Sequence, residues 1–457
     1  MWLSQWLFAI FISLHHVTSA QWSDNVADRC FCKLQGEVDD CSCKVESLDS
    51  LNNNKIYPRL QSLLSKNYFR YFKVNLQKPC PFWSDDSQCA LKDCHVDVCT
   101  QDELPDDVKE TKHERENKYS KSAQIEHTCE EERELSALDT TLSDESKQAF
   151  ANWKDYDDSL DMFCEVDDED SAQMQHVDLL LNPERYTGYK GASPHRIWRS
   201  VYEENCFKPS ETWTYGQEKE SLSNDCKRGM CLEKRAFYRM VSGLHTSINI
   251  HLSDRYLLRS DDAFGSQKWG PNVQEFRSRF DPETTDGQGP QRLKNLYFTY
   301  LVELRALAKA APYLLKERFY TGDGQADKEM RDAVQNLLQI IQDFPDHFDE
   351  SKLFQGNSME SKKLKMEFRD HFRNISRIMD CVGCDKCRLW GKLQVLGMGT
   401  ALKILFSGNA MGPDSTVNAN FKADFQLTRT EIVALFNAFG RLSSSIRALE
   451  NFRSLMR

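Results

Sequence analysis

No run of eighteen apolar residues occurs after position 20, so the mature chain has no segment that could cross a bilayer as a helix. Lysine and arginine are not gathered on any one stretch, which excludes the basic face that a nucleic-acid binder needs. Glycine is badly placed for a dinucleotide site. Gly397-Met-Gly399 and Gly322-Asp-Gly324 each lack the third glycine and the preceding strand of that fingerprint. A nucleophile elbow, a zinc-protease motif and internal repeats are missing as well. Strand-like alternation is scarce, and no proline- or glycine-rich linker divides the 457 residues. These absences leave one mostly α, globular helical domain over 21–457, with a small cysteine-stapled region at its N-terminal end.

Cysteine, by contrast, is abundant, with sixteen residues, a number that fits an oxidising compartment. Met1 to Ala20 read as a signal peptide. Trp6 to Leu14 form an apolar core too short to span a membrane, and Thr18-Ser19-Ala20 supplies small residues for cleavage, although the leading region has no lysine or arginine. The C-terminal Ser454-Leu455-Met456-Arg457 carries no retention tetrapeptide, so residence in the endoplasmic reticulum would require a partner. The one glycosylation acceptor singled out, Asn374-Ile375-Ser376, would place its helix end at the surface if used.

The densest thiol cluster is Cys381-Val-Gly-Cys384-Asp-Lys-Cys387-Arg-Leu-Trp390. Leu364, Phe368, Phe372, Ile375 and Met379 approach it with helical spacing, and helix should resume beyond Gly397 and Gly399 toward Leu402 and Leu405. An iron–sulfur site would need a fourth cysteine followed by proline, where Trp390 and Gly391 stand. Zinc would need two further ligands in a similar cluster. A thioredoxin motif should follow a strand rather than a helix. A redox dithiol, Cys384 and Cys387, on a helical scaffold fits best, and structural disulfides remain the plainer alternative.

The other cysteines read differently by neighbourhood. Cys30-Phe-Cys32 and Cys41-Ser-Cys43 make a compact nested set suited to a stapled hairpin, with a spacer too short for zinc. Cys80, Cys89, Cys94 and Cys99 sit in a polar stretch read as a mobile loop, where bridges are exchangeable. Residues 101–180 carry 25 acidic and 8 basic side chains, against a whole-chain net charge of −11, so the acidity is local. That run reads as a solvated insertion, and the carboxylates around Cys129 should raise its pKa and make it a bridge partner rather than a nucleophile. Cys164 stands alone, followed by Cys206, Cys226 and Cys231. Residues 56–76 show a helical pattern from Ile56 through Leu60, Leu63, Leu64 and Tyr68 to Phe72. Ser242 and His245 share a helix face, where a histidine is more often simply packed than a ligand contact. Arg292 and Arg305 bracket a strongly apolar helix, as exposed ion pairs or as pyrophosphate ligands.

The cysteine run with its Arg-Leu-Trp390-Gly-Lys-Leu extension, Asn182-Pro-Glu-Arg185-Tyr-Thr187-Gly-Tyr and Glu233-Lys-Arg-Ala-Phe-Tyr-Arg239 together resemble the endoplasmic reticulum oxidoreductins, from about residue 30 to 455. The resemblance implies a flavin-dependent thiol oxidase of the endoplasmic reticulum lumen that reoxidises protein disulfide isomerase. Its FAD would be held by a helical bundle, not by a glycine fingerprint. It implies that Cys384 and Cys387 lie beside the isoalloxazine and that Cys89 and Cys94 form the shuttle pair on the loop. Arg185, Thr187, Trp198, Ser242, His245, Arg292 and Arg305 then correspond to flavin contacts. Dioxygen is the implied electron acceptor, giving hydrogen peroxide. By the same resemblance Cys30–Cys43, Cys32–Cys41, Cys80–Cys381 and Cys206–Cys231 are structural bridges, while Cys94–Cys99 and Cys89–Cys129 are regulatory. Cys226 is additional to the pattern and could compete for Cys206 or pair with Cys164.

Isomerase would be both substrate and retention partner, with at most peripheral membrane association on the lumenal side, no nucleic acid and no metal. Two other readings remain: a non-catalytic secreted protein in which every cysteine is structural, and a metal-binding protein using the triple-cysteine run.

Overall fold

The computed structural model describes residues 31–32, 41–43, 45–81, 138–151, 161–165, 167–168, 170–184, 197–198, 200–202, 232–259, 267–285, 287–344, 348–355, 359–383, 385–407 and 423–456. Its scaffold is helical. α1 (Val45–Leu51) leads through a π-helical turn at Asn52–Ile56 into α2 (Tyr57–Leu64) and the short α3 (Asn67–Arg70). α4 (Asp144–Ala151) follows, then the long α5 (Leu232–Asp254), α6 (Val273–Phe280) and α7 (Gln288–Leu314). α8 (Gly324–Gln342), α9 (Met359–Ile378), α10 (Asp385–Leu405) and α11 (Arg429–Leu455) complete the set.

The bundle core is α5, α7, α10 and α11, and glycine sits at two of its crossings. A Cβ on Gly243 of α5 would lie 1.9 Å from Thr299 Oγ1 of α7, and one on Gly397 of α10 would lie 2.4 Å from Ala438 Cβ of α11. Backbones can approach this closely only where a side chain is missing. α10 therefore runs unbroken through Gly397 and Gly399, where the sequence suggested that helix resumes only after them. Gly399 has its own reason: a Cβ there would fall 1.9 Å from the sulfur of buried Cys164.

Helix ends are closed by specific groups. At the start of α11, Thr428 and Glu431 form a reciprocal capping box, and Glu431 also meets buried Lys403 at 2.9 Å. Lys309 donates to the carbonyl of Leu405 at 2.7 Å, putting a cation at the C-terminal end of α10 as the helix dipole favours.

Among the described residues, three antiparallel two-stranded ladders decorate the bundle. β1 (Phe31–Cys32) pairs with β2 (Cys41–Cys43), and the register sets Cys32 opposite Cys41, which is the hairpin expected from the nested cysteines. β3 (Tyr71–Asn75) pairs with β4 (Met174–Asp178), and β5 (Tyr256–Arg259) with β6 (Gln267–Gly270). Phe72 thus ends on a strand instead of extending the helix, because its pairing partner lies far along the chain. No helix among the described residues is long and apolar enough to cross a membrane.

Candidate dithiol and cofactor site

The triple-cysteine run divides by geometry. Cys381 is disulfide-bonded to Cys80 across a separation of 301 residues, which removes it from any ligand set. It ends a 3-10 turn, Met379–Cys381. The chain then extends through Val382 and enters α10 at Asp385, so that Cys387 falls in the first helical turn, buried with 2% of its surface exposed. Cys384 lies outside the described residues. Arg388 holds this junction, donating from Nε to Val382 O at 2.7 Å and from Nη1 to Leu76 O. Around the disulfide, Lys392 pairs with Asp380 and, at 3.3 Å, with Asp167, while Lys78 reaches Glu165 at 3.0 Å. Burial pushes the Asp380 carboxyl up, and Lys392 and Lys78 oppose that push. Among the described residues no group of three or more histidine, cysteine or acidic side chains is arranged to hold a metal.

Further along the same helix, Gly391, Gln394 and Val395 form one wall of a narrow cavity of about 20 Å³, closed by Trp198, Leu244 and Met379 among others. The indole of Trp198 stacks on the His245 ring at 4.0 Å with a 12° tilt, and Tyr202 Oη lies 3.4 Å from His245 Nδ1. Ser242, one turn earlier on α5, accepts a hydrogen bond from Asn295 Nδ2 at 3.0 Å. Arg292 Nη1 donates to the carbonyl of Arg279 at 3.0 Å, and the Arg279 guanidinium donates to Asn249 Oδ1 at 2.7 Å. Arg279, which sequence reasoning missed, thus stands beside Arg292 and within reach of α5.

Trp198, Ser242, His245 and Arg292 are connected through α5 and its contacts. Arg305 is not. It makes a two-pronged ion pair with Glu350 at 2.9 and 3.0 Å, and thirteen residues of helix set it about 20 Å along the α7 axis from Arg292. Its expected place among the cofactor contacts is corrected accordingly: the guanidinium serves a part-buried ion pair. Arg185 and Thr187 lie outside the described residues, although the preceding Glu184 is held by Arg441 at 2.6 Å and by His251, whose Nε2 donates to the Glu184 carbonyl at 2.6 Å. Desolvation first, then the charges of Arg441 and Arg255, hold the His251 imidazole well below its usual pKa.

These groups fit a flavin nucleotide: ring faces, paired guanidinium groups, an apolar slot, and one buried oxygen, Gln394 Oε1, with no hydrogen-bond partner among the described residues. The slot is too small for three fused rings as it stands, and a further ring between Trp198 and His245 would have to spread them.

The remaining expectations fall unevenly. Cys89, Cys94, Cys99 and Cys129 lie outside the described residues, as do Cys30, Cys206, Cys226 and Cys231. Asp139 N donates to Asn182 Oδ1 at 2.8 Å and Asn182 Nδ2 returns a bond to Asp139 O at 2.7 Å. The Asn182 carbonyl accepts from Trp390 Nε1 at 2.7 Å, so the segment at Asp139 is tied through Asn182 to the helix turn that follows Cys387. Cys164 is an unpaired, buried thiol donating to Val395 O at 3.2 Å, not the bridge partner considered for Cys226. Asn374 lies inside α9 with 8% of its surface exposed. The surface position expected of a used acceptor is corrected by that burial.

Comparison with known proteins bears on the chain as a whole. The family model described as Endoplasmic Reticulum Oxidoreductin 1 matches residues 55–449. ERO1-like protein alpha of Rattus norvegicus is 53% identical over 443 residues, 95% of this chain and 94% of the relative. ERO1-like protein alpha of Homo sapiens is 51% identical over 444 residues, covering 95% and 93%. The Ero1-like protein of Drosophila melanogaster is 52% identical over 443 residues, covering 94% and 91%. The solved structure of Ero1p, source of disulfide bonds for oxidative protein folding in the cell, superposes with a TM-score of 0.60 at 32% identity, covering 90% of this chain and 98% of that one.

Proposed function

The chain belongs to the Endoplasmic Reticulum Oxidoreductin 1 family and is an endoplasmic-reticulum oxidoreductase acting on thiols; from that premise we propose that it is a FAD-dependent thiol oxidase of the lumen. It passes disulfides to protein disulfide isomerase and reduces dioxygen to hydrogen peroxide.

Each turnover moves one disulfide outward. A thiolate of reduced isomerase attacks one sulfur of the Cys89–Cys94 bridge, breaking that S–S bond as a mixed disulfide forms. The second isomerase thiolate resolves it, leaving the isomerase oxidised and Cys89 and Cys94 as thiols. The same two-step exchange moves the Cys384–Cys387 disulfide to the shuttle pair, and the inner cysteines become the thiols. Bound FAD would supply a two-electron acceptor for that inner dithiol and an outlet to dioxygen. Trp198 and His245 would supply ring surface for it, Arg279 and Arg292 would supply guanidinium groups for its pyrophosphate, and the apolar wall of α10 would exclude water. Cys387 lies in the first turn of α10, the end of the helix that carries unsatisfied N–H groups and the positive end of the dipole.

The observation that carries this reading is that one helix, α10, bears both Cys387 and the cavity wall of Gly391, Gln394 and Val395. A visible spectrum of the purified protein tests it. The expected result is a flavin band that bleaches when reduced isomerase is added under argon and returns in air. A colourless protein that takes up no FAD would overturn it.

The regulatory arm of the proposal is that Cys94–Cys99 and Cys89–Cys129 bridges consume the shuttle cysteines and switch the enzyme off in an oxidised compartment. Cys129→Ala should then shorten the lag before turnover, and an unchanged lag and rate would discard it.

A further inference from the structure

One buried polar atom in the cavity has a definite chemical polarity. The Gln394 side chain is 3% exposed and sits among Trp198, Val241, Ile248, Ile375 and Met379. Its amide orientation is fixed from behind. Gln394 Nε2 lies 3.2 Å from Glu184 Oε2, and that same carboxylate oxygen is ion-paired to Arg441 at 2.6 Å. A carboxylate in an ion pair can only accept, so the nitrogen must face Glu184. The amide oxygen is then turned the other way. It has no partner among the described residues, and folded proteins seldom leave such an acceptor unmet.

An acceptor selects a donor. The surrounding wall is hydrocarbon, thioether and indole, so the group that brings the donor must otherwise be flat and apolar. Gln394 also lies seven residues beyond Cys387 on α10, about 10 Å along the axis, a distance that a fused three-ring heteroaromatic can bridge between a thiol and a hydrogen bond. Taking the flavin reading above as given, the oxidised isoalloxazine has one ring N–H, at N3 of its imide edge. We propose that Gln394 Oε1 accepts the hydrogen bond of the flavin N3–H. Gln394 is thereby the residue that reads the pyrimidine edge and fixes the ring's direction in the slot. Glu184 and Arg441 act through it as positioning residues, because the carboxylate that Arg441 holds takes the amide nitrogen and leaves the oxygen to accept.

The test uses the full chain stripped of flavin and reloaded with FAD labelled with ¹⁵N at N3, or with FAD methylated at N3. In the wild type the N3–H proton should resonate downfield, as a hydrogen-bonded imide does, and N3-methyl-FAD should bind at least 10-fold more weakly than FAD. Gln394→Met keeps the side-chain volume and removes the acceptor. It should move the N3–H resonance upfield and bring the two affinities within a factor of about two, whereas Ile375→Val, in the same wall, should do neither. An N3–H resonance that is the same in the wild type and Gln394→Met overturns the assignment. So does equal binding of FAD and its N3-methyl analogue by the wild type, a measurement that needs no variant to fold. A wild-type chain that binds neither flavin overturns the oxidase reading instead, which separates the two failures.

Discussion

Glu303 is fully buried on α7, and neither carboxyl oxygen has a partner among the described residues. Burial drives its pKa well above the carboxylate range. Below about pH 4.5 both folded and unfolded chains hold the proton, and titration of this residue adds no cost. As the pH rises, the unfolded chain releases its proton while the folded chain keeps it, so stability from this site is lost progressively up to the raised folded value. Glu303→Gln removes that dependence. Its melting temperature should therefore rise relative to wild type on going from pH 5 to pH 8, and a constant difference across that range would mean that Glu303 does not titrate this way. This residue was not legible beforehand, because a glutamate between Val302 and Leu304 looks like any helix surface position until the packing is known. Gln394 was hidden for the same reason. Ser242 and His245 could be placed on one helix face from spacing alone, but only the Trp198 stack distinguishes His245 from an ordinary packed histidine.

Among the helices, α10 carries Cys387, the cavity wall and a close glycine crossing with α11. Local propensity argues against glycine in a helix interior, which is why the sequence pattern hesitated at 397 and 399. Tertiary contact overrides it: Gly397 is the only residue type that lets α10 and α11 meet at Ala434 and Ala438. Gly397→Ala forces a methyl into that contact and should destabilise the protein by about 1–3 kcal/mol, as overpacked core substitutions do. Gly324, at the start of α8, has nothing within 4 Å of its Cβ position, and alanine there should be neutral or stabilising by up to about 1 kcal/mol. Urea midpoints of the two variants decide the point, and equal shifts would contradict the crossing argument. β3 was misread for a related reason. The spacing from Tyr68 to Phe72 suits a helix, and the strand assignment depends on β4, about a hundred residues away.

At the scale of the whole molecule, helical class could be read from composition and spacing, whereas long-range joins could not. Cys80–Cys381 is one such join, closing 301 residues, and its pairing came only from the family resemblance. Removing a native bridge typically costs about 2–5 kcal/mol, more for longer loops. Changing both cysteines to serine should lower the melting temperature accordingly and loosen the approach to α10 that Arg388 also holds. An unchanged melting temperature would show that Arg388 and the Lys392–Asp380 pair suffice. A second join has no bond in it. The sulfur of Cys164 occupies the space that a side chain at Gly399 would need, so the two positions are one character as far as inheritance is concerned. Cys164→Ala alone opens a void and Gly399→Ala alone collides with the thiol, while the pair together exchanges sulfur for methyl and should be more stable than the sum of the single changes predicts. A lineage could cross from one solution to the other only by passing through the weaker protein between them.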